Sequence, residues 1–202
     1  SAEAKSTQYN ATIGMATYKD SKMYANTLND IFDHLEPDEI FPYAPPQGLE
    51  SLRDLWQQKT LKENPDLDAK DMTRPILTNA LTHGLSLVGD MFVDSGDTLL
   101  LPTHNWGNYK LVYSTRHSAE IETYDIFDEA GHFTTENLVN TLENYNKEKV
   151  ILILNYPNNP TGYTPTKDEV HTIVAAVKSL AERGTNVIAL VDDAYYGLFY
   201  ED

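Results

Sequence analysis

The 202-residue chain contains no cysteine. Disulfides, thiolate nucleophiles and cysteine-ligated metal sites are therefore excluded. No apolar run approaches the roughly 20 residues that a membrane-spanning helix needs. The opening stretch, Ser1 to Asn10, is polar and lacks the apolar core of a secretory signal. Positive charge is scarce: 15 Lys and Arg stand against 31 Asp and Glu, a formal net charge of −16. No basic cluster offers the footprint that a nucleic acid or an anionic membrane requires, so neither is expected as a partner. His117, His132 and His171 are isolated in sequence and lack ligand spacing. They are expected to be solvated, and no metal site is expected. There is no internal repeat, no low-complexity tract and no Gly-x-Gly-x-x-Gly after a strand, which argues against a dinucleotide-binding domain. A cytoplasmic location is the default for such a composition.

What is present is a regular alternation. Thr73 to Asn79, Asp97 to Pro102, Ser118 to Asp125, Val150 to Leu154 and Asn186 to Val191 read as strands. His83 to Val93, the segment after Trp106, Thr134 to Tyr145 and Thr166 to Arg183 read as the helices between them. Thr166 with Glu169 forms a capping box, and Gly184 suits the helix end. Strands alternating with helices imply a three-layer αβα fold with a largely parallel sheet. Upstream, Gly48 to Glu63 reads as an amphipathic helix whose stripe of Leu49, Leu52, Leu55 and Trp56 is most simply core packing. The stretch from Glu36 to Gln47 carries Pro37, Pro42, Pro45 and Pro46, a density at which no regular element is expected.

The strand Val150 to Leu154 delivers Asn155-Tyr156-Pro157-Asn158-Asn159-Pro160-Thr161-Gly162. Open α/β sheets bind their ligands at such carboxyl ends. Prolines restrict the backbone here, and Gly162 permits angles that other residues avoid. An ordinary strand-to-helix turn uses the same residue types. The next strand delivers Val191-Asp192-Asp193-Ala194-Tyr195-Tyr196-Gly197. Trp106 sits just beyond a strand end, where an indole face can stack on a flat ring or simply pack. Leu81, Thr82 and His83 open a helix, whose free N–H groups suit a phosphate. An ordinary N-cap role for Thr82 is compatible with that.

Asn-Asn-Pro-Thr-Gly at 158–162 and Asp-x-Ala-Tyr at 192–195 resemble two motifs of the class I/II aminotransferases of fold type I, the aspartate/aromatic branch above all. These enzymes use pyridoxal 5′-phosphate (PLP). The resemblance spans about residues 10 to 202 and implies the family's large domain, truncated, over 48–202. Residues 1–47 then form an N-terminal arm and proline-rich loop. It implies that Asp192 faces the pyridine nitrogen, that Asn159 and Tyr195 bond the phenolic oxygen, and that Trp106 stacks on the ring. Leu81, Thr82 and His83 then form the phosphate cup, although Leu81 and His83 replace residues that are commonly small in the family. Gly14 and Asn159 approach the substrate, and Tyr43 reaches the phosphate of the neighbouring subunit in a homodimer.

The implied activity is transamination between an amino acid and a 2-oxo acid. The family's Schiff-base lysine and its substrate- and phosphate-binding arginines lie beyond the Asp-x-Ala-Tyr motif. No catalytic residue is therefore assigned in this chain. It is expected to be an excised portion of a longer enzyme, inactive alone, with Val187 to Val191 as an unpaired apolar edge prone to self-association. A lyase, decarboxylase or synthase of the same fold, or a non-catalytic ligand-binding remnant, are the alternatives.

Overall fold

The chain divides into two units between Pro75 and Ile76. The computed structural model describes residues 17–18 and 21–199. In the first unit, β1 (Thr17–Tyr18) pairs antiparallel with β2 (Ser21–Lys22). Helix α1 (Asn26–Ile31) runs into a 3-10 turn at Phe32–His34. Helices α2 (Pro37–Ile40) and α3 (Glu50–Glu63) follow.

Two expectations are corrected in this unit. The proline-rich stretch does hold one helical turn, α2. Pro37 occupies its first position, where a missing N–H costs nothing, and Glu36 and Glu39 close a capping box around it. The apolar stripe of α3 is also not buried. Leu49, Leu52, Leu55 and Trp56 are all exposed, because no described element of this unit covers them.

Between the units, the strand expected at Thr73 to Asn79 is irregular chain over 73–78. Pro75 has no N–H to give a ladder. The polar groups there turn to α3 instead. Arg53 donates to the Pro75 carbonyl at 2.5 Å. Arg74 pairs with Asp54 at 2.5 Å.

The second unit is the expected parallel α/β sheet. Helix α4 (Ala80–Phe92) precedes β3 (Thr98–Pro102). A helical run at 108–117, π-helical over Lys110–Thr115, precedes β4 (Glu120–Tyr124). Helix α5 (Glu136–Glu143), β5 (Lys149–Asn155), α6 (Lys167–Glu182) and β6 (Asn186–Asp192) complete it. The strand order is β4-β3-β5-β6, all parallel.

Successive side chains of a strand point to opposite faces. Leu99, Leu101, Ile151 and Ile153 therefore pack with Leu85 of α4 and with Tyr109 and Tyr113. Leu100, Val150 and Leu152 pack on the other face with Leu138 and Leu142 of α5 and Ile173 and Leu180 of α6. Burial on both faces is why these strands read as unbroken apolar runs. Each such side chain contributes about 1.5–3 kcal/mol by leaving water. At the α6 start the Thr166–Glu169 capping box forms as expected.

Among the described strands β6 pairs only with β5, so the expected apolar edge is present, and Val191 is 67% exposed. His117 departs from expectation. It is largely buried against Gly89 and lies 3.5 Å from Asp90, rather than solvated. Among the described residues no cluster of His, Asp or Glu suits a metal ion. No described helix is long and apolar enough to cross a membrane.

Candidate functional site

The carboxyl ends of β5 and β6 lie in register, Asn155 opposite Asp192. Both side chains are 3% exposed. Asn155 Nδ2 donates to the Asp192 carbonyl at 3.0 Å, and its Oδ1 accepts from the Asn159 N–H at 2.8 Å. One buried amide thus ties two strand ends to the loop that follows.

That loop is self-supporting. Tyr156–Pro157 and Asn159–Pro160 are cis. The buried Asn158 side chain accepts from the N–H and hydroxyl of Thr161 at 3.2 and 2.7 Å. Its Nδ2 donates to the His104 carbonyl at 3.2 Å, which joins the loop to the segment carrying Trp106. Gly162 closes the turn at φ +77°, with its N–H donating to the Asn158 carbonyl at 2.7 Å. Behind it, Tyr163 stacks on Phe133 with ring centres 4.0 Å apart. Asn159 is left at the front, where its Nδ2 donates to the Tyr195 hydroxyl at 3.3 Å. A cavity of about 300 Å³ opens there, lined by Pro157, Asn158, Asn159, Pro160 and Gly162 on one side and by Tyr195 and Leu198 on the other.

Asp192 is the buried member of the Asp192–Asp193 pair; Asp193 is exposed. Asp192 Oδ1 accepts from the Ala194 N–H at 3.2 Å, and Oδ2 accepts from the Tyr109 hydroxyl at 2.5 Å. Burial, and then the adjacent carboxylate, push the Tyr109 phenol far above its ordinary range, so it is the donor in this bond. The ion pairs among the described residues lie elsewhere and none includes Asp192. A carboxylate so buried, with donors but no counter-ion, suits a cationic ring nitrogen.

Trp106 is half-buried. It packs on the core and meets Tyr109 edge-on, ring centres 5.5 Å apart at 87°. Leu81, Thr82 and His83 are exposed in the first turn of α4. The N-cap is Asn79 rather than Thr82, and the Asn79 N–H donates to His83 Nδ1 at 3.0 Å. Ala80 sits at φ +66°, a conformation that L residues rarely adopt. The N–H groups of Ala80, Leu81 and Thr82 have no intrahelical acceptor, as at any helix start.

The structure thus brings Asn159 to Tyr195, and Asp192 to Trp106 through Tyr109. No hydrogen bond or ring contact among the described residues joins Leu81, Thr82 or His83 to them. Tyr43 is 90% exposed in the first unit. Gly14 lies outside the described residues. Sequence reasoning passed over Tyr109, Asn155 and Asn158. Asn155 was signalled by its place as the last residue of a core strand; Tyr109, whose partner lies 83 positions on, carries no such local signal.

Comparison with known proteins accords with this geometry. Residues 10–202 match the family model described as aminotransferase class I and II. The chain is 29% identical over 163 residues to a probable aspartate aminotransferase of Methanocaldococcus jannaschii, covering 79% of this chain and 39% of that protein. It is 31% identical over 111 residues to an LL-diaminopimelate aminotransferase of Maridesulfovibrio salexigens, covering 55% and 26%. Among solved structures, an aminotransferase from Anaerococcus prevotii superposes with a TM-score of 0.76 at 19% identity, over 90% of this chain and 45% of that one. The cytoplasmic aspartate aminotransferase of Saccharomyces cerevisiae gives 0.71 at 20% identity, over 92% and 46%. The chain therefore spans less than half the length of these relatives.

Proposed function

Because the chain belongs to the aminotransferase class I and II family, we propose that it forms the ring-holding wall of a PLP-dependent aminotransferase acting on an amino acid and a 2-oxo acid. The observation that carries this reading is Asp192: buried, bonded at both oxygens, without a cation among the described residues, at the carboxyl end of a core strand. When bound, PLP supplies an electron sink for the substrate's bonding electrons.

The chain's own residues determine how well that sink works. Asp192 would hold a proton on the ring nitrogen by ion pairing, which a neutral residue there would not do. Asn159 Nδ2 and the Tyr195 hydroxyl, 3.3 Å apart, would hold the phenolic oxygen and set its proton affinity. Trp106 would cover one ring face. The α4 N-terminus, with the Thr82 hydroxyl, would take the phosphate on backbone donors, which would serve a chain with net charge −16 that has few cations to offer. Gly14 at the substrate, and Tyr43 at the phosphate of a second subunit in a homodimer, belong to the same reading by resemblance.

The test uses the protein expressed from its own gene. PLP binding is followed by the cofactor's visible absorption, and amino transfer with a panel of amino and 2-oxo acids. Asp192→Asn should lower kcat at least a hundredfold, a loss of about 2.7 kcal/mol or more of transition-state stabilisation. A wild-type protein that binds no PLP, or an Asp192→Asn variant with undiminished kcat, would overturn the reading.

A further inference from the structure

Tyr109 carries none of the roles assigned above, yet it touches two of the residues that do. Its hydroxyl donates to Asp192 Oδ2 at 2.5 Å, and its ring meets Trp106 edge-on at 5.5 Å. It is 1% exposed and packed among Leu99, Leu101 and Ile153 of the sheet. The residue after it begins the π-helix Lys110–Thr115, a distortion that often accompanies functional sites.

From this geometry we propose that Tyr109 is a positioning residue that fixes Asp192 and Trp106 relative to each other, so that the carboxylate edge and the indole face meet the same ring. The inference rests on the PLP reading given above. A carboxylate held only by the Ala194 N–H is free to turn about its side-chain bonds. The phenol removes that freedom on the oxygen that Ala194 leaves open. The phenol ring is rigid and buried, so the position it sets for Asp192 also defines where Trp106 rests. Burial keeps the phenol protonated, so it remains a donor across the working pH range. Donation to Asp192 also tempers how strongly that carboxylate attracts the ring proton. Tyr109 thereby sets both the orientation and the strength of the contact.

The experiment uses the protein expressed from its own gene, with PLP as the probe. Tyr109→Phe removes the hydroxyl and keeps the ring. A second variant carries 3-fluorotyrosine at 109, which keeps both and strengthens the donor. The readouts are the PLP dissociation constant and the pH at which the bound cofactor's visible absorption changes. Tyr109→Phe is expected to raise the dissociation constant about tenfold. The spectral pH is expected to move one way in Tyr109→Phe and the opposite way with 3-fluorotyrosine. A packing residue would give neither the opposed shifts nor any effect of fluorine on the spectrum. If wild type binds PLP and both variants match it, the inference falls while the PLP reading stands. If wild type binds no PLP, the reading falls and the inference with it. The fluorotyrosine protein keeps the native packing, so it decides the matter even where Tyr109→Phe does not fold.

Discussion

Asn155 offers the sharpest test of how the site is held. Its side chain is 3% exposed and makes two bonds, to the Asp192 carbonyl at 3.0 Å and from the Asn159 N–H at 2.8 Å. Asn155→Ala removes both and strands a buried acceptor and a part-buried donor. Each stranded group costs about 1–3 kcal/mol, so the expected loss is about 3 kcal/mol. Asn155→Asp is nearly isosteric and keeps an acceptor for the Asn159 N–H. It also turns the Nδ2 donor into a carboxylate oxygen facing the Asp192 carbonyl, acceptor against acceptor. A buried charge without a partner adds to that penalty. The same-size substitution should therefore destabilise more than the truncation. Urea unfolding, with both variants compared at equal m-values, measures the order directly. A loss under about 0.5 kcal/mol for Asn155→Ala, or a milder Asn155→Asp, would refute the claim that this amide ties the strand ends to the loop.

Further outcomes are expected elsewhere. Gly162→Ala should cost about 1–2 kcal/mol through φ +77° alone, since nothing lies within 4 Å of the added methyl; an unchanged urea midpoint would contradict that. Gly89→Ala puts a methyl 2.7 Å from His117 Nε2 and should cost about 1–3 kcal/mol, most of it recovered in the Gly89→Ala/His117→Ala double variant. Burial raises the phenols of Tyr109, Tyr113, Tyr124 and Tyr156, Tyr156 to about 12. The folded chain thus keeps protons that the unfolded chain releases near pH 10. Stability should be unaffected by these groups below about pH 10 and fall as pH rises from there through about 12. Thermal melts across that window, paired with tyrosinate absorbance, would show delayed ionisation; ionisation in the native state near pH 10 would exclude it.

The local chemistry of the fold was legible in the sequence because it depends on neighbours along the chain. The unbroken apolar runs Leu99 to Leu101 and Val150 to Leu154 required strands covered on both faces, and the two core clusters cover them. The Thr166–Glu169 capping box is written three residues apart and forms as written. The asparagine loop and the Asp-x-Ala-Tyr run each close a core strand, so their place at one end of the sheet followed from the alternation itself. The α2 turn was misread because Pro37 breaks a helix interior but suits a helix start.

Tertiary structure decided whatever depends on register and depth. Asp192 and Asp193 are chemically identical neighbours, but Asp192 is the last residue of β6 and is buried opposite Asn155 of β5, while Asp193 lies just past the strand and is exposed. The Tyr109–Asp192 bond joins residues 83 positions apart, and no local pattern announces it. The stripe on α3 looked like core but is exposed, since an amphipathic pattern states that a helix has an apolar face and not what covers it. The sequence by itself determined the four strands of the parallel sheet and the residue types at their ends. The packing of the sheet determined which of those residues share one cavity wall, because contacts across strands are set by register in space.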